Sequence, residues 1–302
     1  MNQARGHLIV TADDFGLAIE VNEAVEKAHR RGILSAASLM VAGPAAADAV
    51  GRARLLPGLR VGLHLVLIEG RPALPPKLIP DLVDANGYFR TDMVRMAFEL
   101  PLRPALRLQI SAEIVAQFEA YRATGLPLDH VNAHKHFHLH PMIAAKVISI
   151  GRHYGMRALR VPFEPGAALR RVEMQWPAFP ALLIPSCAKL LRSQVRRAHL
   201  ITPDAVFGLK WSGAMTTKRL AVIITNLPPG TVEIYTHPAT STGFAGHVAS
   251  YDYAEELAAL TSEASFDALR HSTHRLGGYS DIVPDSASMS QERTYPSHTG
   301  GS

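Results

Sequence analysis

The chain has 302 residues, 47% of them hydrophobic and 19% charged, a globular composition that excludes a mainly disordered or collagen-like protein. Its formal charge of +5, from 31 basic and 26 acidic residues, is too small to imply nucleic acid by itself. A single cysteine, Cys187, excludes an internal disulfide framework and a cysteine-built zinc site.

In chain order, the run 8–12 (LIVTA) predicts a strand, and Ile19, Val21 and Val25 then recur at helical spacing until Gly32. A second apolar run over 36–41 is closed by Gly43-Pro44, an alanine-rich helix over 45–56 by Pro57-Gly58, and a third strand follows at 60–67 (RVGLHLVL). Residues 69–104 are proline-rich and read as a long loop with one short helix, a kind of insertion that often shapes a binding site. A helix over 106–123, a strand over 128–132, a histidine cluster, a helix over 143–154 and a strand over 157–161 come next. A late strand over 231–235 runs into Thr236-His237-Pro238, before a helix over 253–261 and a weak closing strand over 276–279.

This rhythm predicts the α/β class: one domain over 1–284, an irregular (β/α) TIM-like barrel of about seven βα units. Residues 285–302 are rich in Ser, Thr, Pro and Gly and read as a disordered tail. The apolar run 8–10 is too short for a signal-peptide core, and no uncharged stretch reaches the ~20 residues of a spanning helix. A cytoplasmic protein is the expectation.

Asp13-Asp14, His64, the histidine cluster and His237 each sit at the C-terminal end of a predicted strand, the end where parallel barrels carry their active sites. Adjacent carboxylates in one pocket need a cation or hydrogen bonds. Strand alternation separates Asp13 from Asp14, but a chain turning at Phe15-Gly16 lets both reach one pocket; the alternative is that they cap the helix starting near Leu17. His64, between Leu63 and Leu65, reads by itself as a core or hydrogen-bonded histidine, and its place at the same barrel mouth as Asp14 makes it a candidate.

His130, His134, His136, His138 and His140 are five of the chain's 15 histidines. In an extended segment the last four share one side; in a helix His134 and His138 share a face. Either suits a divalent metal, although zinc usually takes only about three protein ligands. A histidine-rich surface loop is the alternative. There is no Gly-x-Ser-x-Gly elbow, P-loop, dinucleotide fingerprint or His-Glu-x-x-His, which counts against those chemistries.

Together TADDFG (11–16), VGLHLVL (61–67), HVNAHKHFHLHP (130–141) and IYTHPA (234–239) resemble the YdjC-like carbohydrate deacetylases, over about residues 7–280. The resemblance implies a metal-dependent N-deacetylase on an irregular barrel, with Asp14, His64 and His134 holding one divalent ion, Mg²⁺ or Zn²⁺, Asp13 as general base and His237 as general acid. Within that family the motifs look most like the hopanoid-biosynthesis-associated (HpnK-like) branch. Members acting on chitooligosaccharides tend to carry Asp-Ser where this chain has Asn132-Ala133, so the expected substrate is a lipid-linked N-acetylglucosaminyl compound. The alternatives are chitooligosaccharide deacetylation, another metal hydrolase cleaving a phosphoester or cyclic amide, and a non-catalytic lipid- or sugar-binding barrel.

Between residues 157 and 200, eight Lys/Arg face two glutamates, a local +6 that leaves the rest of the chain at −1. The segment 186–198 (SCAKLLRSQVRRA) reads as a basic amphipathic helix, preceded by Trp176, Phe179, Leu182, Leu183 and Ile184, and suggests peripheral contact with an anionic membrane at its inner face; a helix packed on the barrel is the alternative. Nucleic acid is not expected, because no aromatic residues alternate with these charges.

Overall fold

The longest strand, β1 (Gly6–Phe15), is buried from Leu8 onward, as expected of an apolar run covered on both faces. It occupies the middle of a sheet in the computed structural model, which describes residues 6–173 and 184–282. The elements that follow are α1 (Ile19–Arg31), β2 (Ala36–Leu39), α2 (Ala46–Arg54), β3 (Arg60–Leu65), α3 (Met93–Glu99), α4 (Pro104–Ala123), β4 (Val131–Ala133) and α5 (Pro141–His153). Then come α6 (Gly166–Val172), α7 (Ile184–Arg197), β5 (Ala205–Phe207), α8 (Thr217–Thr225), β6 (Gly230–Thr236), α9 (Tyr253–Thr261), α10 (Glu263–His271) and β7 (His274–Leu276).

Every strand pairing is parallel, in the order β4-β3-β2-β1-β6-β5, with β7 beside the first residues of β1. Residues 157–163 continue the backbone bonding: Val131 N–H donates to Ala158 O, Arg160 N–H to Val131 O and Val206 N–H to Phe163 O. The sheet therefore curls from β4 round towards β5, and the chain is a single α/β domain of barrel-like form. The strand expected at 157–161 is present only as isolated bridges to Val131 and Ile201.

Sequence reading and structure differ in several places. The closing strand lies at His274–Leu276, and Tyr279 instead begins a short 3₁₀ turn. The elements β5, α6, α8 and α10 had no counterpart in the sequence reading. In the loop after β3, α3 is the expected short helix. Helix α7 forms where the basic amphipathic segment was read, but Ala188, Leu191 and Val195 are spent on the protein core. Its apolar stripe is thus unavailable to lipid, and Lys189, Arg196 and Arg197 are exposed. Residues 176 and 179–183 of the expected membrane-facing run, and the tail from 285, lie outside the described residues. Among the described residues no helix is long and apolar enough to cross a membrane.

Candidate metal centre

Asp13 and Asp14 reach one pocket because β1 carries a bulge. Its pairing with β2 passes from Ala12↔Ala37 to Phe15↔Leu39, so β1 spends one extra residue. Asp14 absorbs the irregularity at φ 61°, in the left-handed region, and Gly16 at φ 96° completes the turn. The capping alternative does not apply: α1 has Ala18 at its N-cap, with no side-chain cap.

Three donor atoms converge at the strand ends. Asp14 Oδ1 lies 3.2 Å from His64 Nε2 and 3.1 Å from His134 Nδ1, and the two nitrogens are 3.4 Å apart. A tetrahedral ion with ligand bonds of ~2.1 Å places its ligands about 3.4 Å from one another. One carboxylate and two imidazoles at this spacing fit a divalent cation, and among the described residues this is the one such cluster. Burial works against the charge on Asp14, yet His134 and His64 hold its carboxyl well below the usual carboxylate range. Burial likewise works against protonated His64, but Asp13 and Asp14 raise its pKa above the usual value.

His64 faces Asn132 across the β3–β4 pairing, and its Nδ1 lies 2.7 Å from the Asn132 amide oxygen. That contact places the ring proton on Nδ1 and leaves Nε2 as the donor to a cation. The Asn132 amide nitrogen donates to Asp13 Oδ1 at 3.0 Å and to Ser38 Oγ at 2.9 Å.

Asp13 points past the triad to Arg160, whose Nη1 and Nη2 donate to its two oxygens at 2.5 and 3.0 Å. Burial opposes its ionisation, but Arg160 and then His64 hold it far below the usual range. The same guanidinium donates to Glu233 at 2.7 and 2.9 Å, and Glu233 also accepts from Thr11 and Tyr279. Arg160, Asp13 and Glu233 are almost wholly buried. Sequence reasoning counted Arg160 among the basic residues of a membrane-facing segment; the structure places it in the barrel instead. A charged Glu233 inside the apolar strand TVEIY was the available signal for a buried partner.

Only His134 of the five clustered histidines joins the triad. Lys135 and His136 both adopt φ 53°, so the segment is neither extended nor helical, and both sequence geometries fail. His136 Nε2 lies 3.0 Å from the Tyr235 hydroxyl, and His138 Nε2 2.8 Å from the Arg160 carbonyl oxygen. Burial holds His138 at about 4 and His136 well below its usual value, so both are neutral at pH 7. His140 caps α5, accepting from Met142 N–H. His130 packs under β3, where a Cβ at Gly62 would come within 2.5 Å of its ring.

His237, at the end of β6, stacks obliquely on Tyr251 with ring centroids 5.0 Å apart, and its Nδ1 is buried without a partner. Burial lowers its pKa, opposed by the nearby Asp14 and Asp13 carboxylates. Glu256, on α9, fixes the backbone here by accepting from the N–H groups of His237 and Met215. Glu256 was absent from the sequence reading.

Fold and site define a barrel-like α/β protein with a candidate metal centre at the C-terminal ends of its strands. The chain belongs to the YdjC-like protein family, whose model matches residues 7–271. It is 36% identical over 167 residues to a carbohydrate deacetylase of Brevibacillus brevis, a match covering 55% of this chain and 64% of that protein. It is 27% identical over 251 residues to a carbohydrate deacetylase of Thermoanaerobacter pseudethanolicus, covering 83% of this chain and 88% of the relative. Among solved structures, a protein from Enterococcus faecalis V583, described by a proposed role in cellobiose-phosphate cleavage, shares the fold: TM-score 0.72, 23% identity, 92% of this chain and 99% of the other.

Proposed function

We propose that this protein is a metal-dependent carbohydrate N-deacetylase that removes the acetyl group from an N-acetylated amino sugar carried on a lipid. The observation that carries the reading is the Asp14–His64–His134 cluster with a second carboxylate, Asp13, hydrogen-bonded into the same network. The names of the two bacterial relatives agree with its coarser part, deacetylation of a carbohydrate.

Asp14, His64 and His134 would hold one divalent ion, Zn²⁺ or Mg²⁺. Bound there, such an ion supplies Lewis acidity, which makes water a usable nucleophile near neutral pH and polarises an amide carbonyl. Asp13 acts as general base: Arg160 and Asn132 orient it and keep it ionised, while Oδ2, with one partner, retains a lone pair for the proton of the attacking water. His237 acts as general acid towards the departing amine. Burial makes its imidazolium a ready proton donor. The products are acetate and a free amino sugar. A lipid-carried substrate would be met at the inner membrane face, with the cations of α7 towards anionic headgroups.

Acetate release tests the reading: purified protein is loaded with Zn²⁺ or Mg²⁺ and given N-acetylglucosamine, chitobiose or an N-acetylglucosaminyl lipid. The expected result is release from the lipid-linked substrate, lost in Asp13→Asn while the metal content persists. Release from chitobiose alone would move the substrate to chitooligosaccharides. Hydrolysis of a phosphoester or cyclic amide without acetate release would replace the deacetylase with another metal hydrolase.

A further inference from the structure

The exposed apolar side chains of this protein are not scattered. Among the described residues ten large ones are exposed, and seven of these lie between positions 78 and 115, in the insert after β3 and in α4. Such a concentration marks a contact surface, unlike the single exposures any protein carries. Val94 and Phe98, one turn apart on α3, are 64% and 75% exposed; Leu102, in the turn that follows, is 80% exposed and Leu108, on α4, 70%. Helix α4 buries Leu106, Ile110, Ile114 and Phe118 on one side. The residues it turns outward at helical spacing, Ala105, Leu108, Ala112 and Val115, are apolar as well. A helix that is apolar on both sides has a second side to cover.

This face stands beside the mouth of the barrel. The insert leaves β3 at the end that carries His64. Glu69 Oε2 lies 2.9 Å from Lys135 Nζ, next to His134, and the Glu69 N–H donates to Arg90 O just before α3. Helix α4 then returns the chain between the parallel strands β3 and β4, so its first turns, with Leu108, stay at the mouth end. Helix α5 packs against both α4 and α7, which puts the cations of α7 on the same flank.

The surrounding charges fit an anionic partner. Between residues 71 and 107 six Lys/Arg meet four Asp/Glu, a net +2. Asp81 and Glu99 are drawn inward, 25% and 18% exposed, whereas Arg103 and Arg95, which they hold, are 42% and 70% exposed. Arg71 and Lys77 are exposed too. Asp92 accepts from the Arg95 N–H as the cap of α3, and Asp84 from the N–H groups of Asn86 and Tyr88. Large apolar side chains rimmed by cations are the pattern of a surface that lies in a bilayer interface. Side chains this exposed stand clear of one another and leave no recess for those of a second copy, whose arginines would also meet like charge. A fluid bilayer needs no recess.

We propose that the outward face of α3 and α4 seats this protein on an anionic phospholipid bilayer, with the mouth of the barrel beside the lipid surface. Helix α7 offers cations but no free apolar stripe; α3 and α4 supply the apolar half of the contact. The inference deepens the proposed function and rests on its lipid-carried substrate, but bilayer binding is measurable without turnover.

Co-sedimentation with vesicles tests it, using either phosphatidylcholine alone or equal parts of phosphatidylcholine and phosphatidylglycerol. The wild type is expected to bind the mixed vesicles more tightly, with the preference lost at high salt. The double variant Phe98→Ser, Leu102→Ser is expected to bind them at least about tenfold more weakly, because two large side chains no longer leave water. Lys77→Glu with Arg95→Glu is expected to remove the preference for phosphatidylglycerol. All these residues are on the surface, and a urea transition confirms that each variant folds. Acetate release from an N-acetylglucosaminyl lipid should fall in the serine variant when the lipid is in vesicles and stay unchanged when it is dispersed in detergent. No vesicle binding by the wild type, or equal binding by the serine variant, would overturn the proposal. A wild-type dimer that the serine variant splits, without vesicle binding, would overturn it by assigning the face to a second copy. Vesicle binding that depends on Phe98 and Leu102, with no acetate released from any lipid, would uphold the surface and overturn the proposed substrate instead.

Discussion

Arg160 grips both carboxylate oxygens of Asp13, at 2.5 and 3.0 Å, from a segment 147 residues away in sequence. The same side chain binds Glu233, so a single cation is shared by two buried anions. All three groups are almost wholly buried, and each depends on the others for its charge to be tolerated.

Arg160→Met removes the shared cation and leaves two uncompensated buried carboxylates. The expected loss of stability is about 3–5 kcal/mol at pH 7. Part of it should return on acidification, as the carboxyls accept protons. Urea unfolding at pH 7 and pH 5 measures both effects; an unchanged midpoint at pH 7 would show that Arg160 does not hold the pair.

Asn132→Leu keeps the volume of the side chain roughly but deletes its bonds to Asp13, His64 and Ser38. Divalent-metal affinity is expected to fall about 10–100-fold, as for other outer partners of metal-binding histidines. Turnover should fall further, since Asp13 also loses a donor. Metal titration alongside kcat separates the two losses.

The structure also sets a pH dependence away from the metal centre. Glu164 accepts from the backbone N–H groups of Gly208, Leu209 and Lys210 at 2.8, 2.9 and 3.1 Å, yet burial pushes its pKa from 4.5 up to about 7. Between those values the folded chain binds more protons than the unfolded one, so this group's contribution to stability falls as pH rises from 4.5 to about 7 and is flat above. Allowing for its partial exposure, the change is on the order of 1–2 kcal/mol. The difference between wild-type and Glu164→Gln stability curves should carry this slope; a flat difference across the window would contradict it.

The parallel βα rhythm was legible because buried strands such as LIV in β1 and the strand 60–67 are largely apolar runs with glycine or proline close by. The strand β5 and helices α6, α8 and α10 were not, although elements as short, β4, α2 and α9, were. At the site, residue types were legible and their aim was not. The left-handed turn at Lys135 and His136 separates histidines that either regular period would have grouped. The bulge at Asp14 brings together carboxylates that alternation would have parted. Glu233 within an apolar strand hinted at a buried partner, but Arg160 and Glu256 are ordinary charged residues in the sequence, and only the fold shows them buried against Asp13 and the His237 backbone.

The central claim is that Asp14, His64 and His134 bind one cation together. Anomalous diffraction at the zinc edge from crystals grown with Zn²⁺ tests it most directly. The expected result is a single strong peak about 2.0–2.2 Å from Asp14 Oδ1, His64 Nε2 and His134 Nδ1, absent in His134→Ala. A wild-type map with no peak among these three atoms, or with zinc held by other histidines, would contradict it.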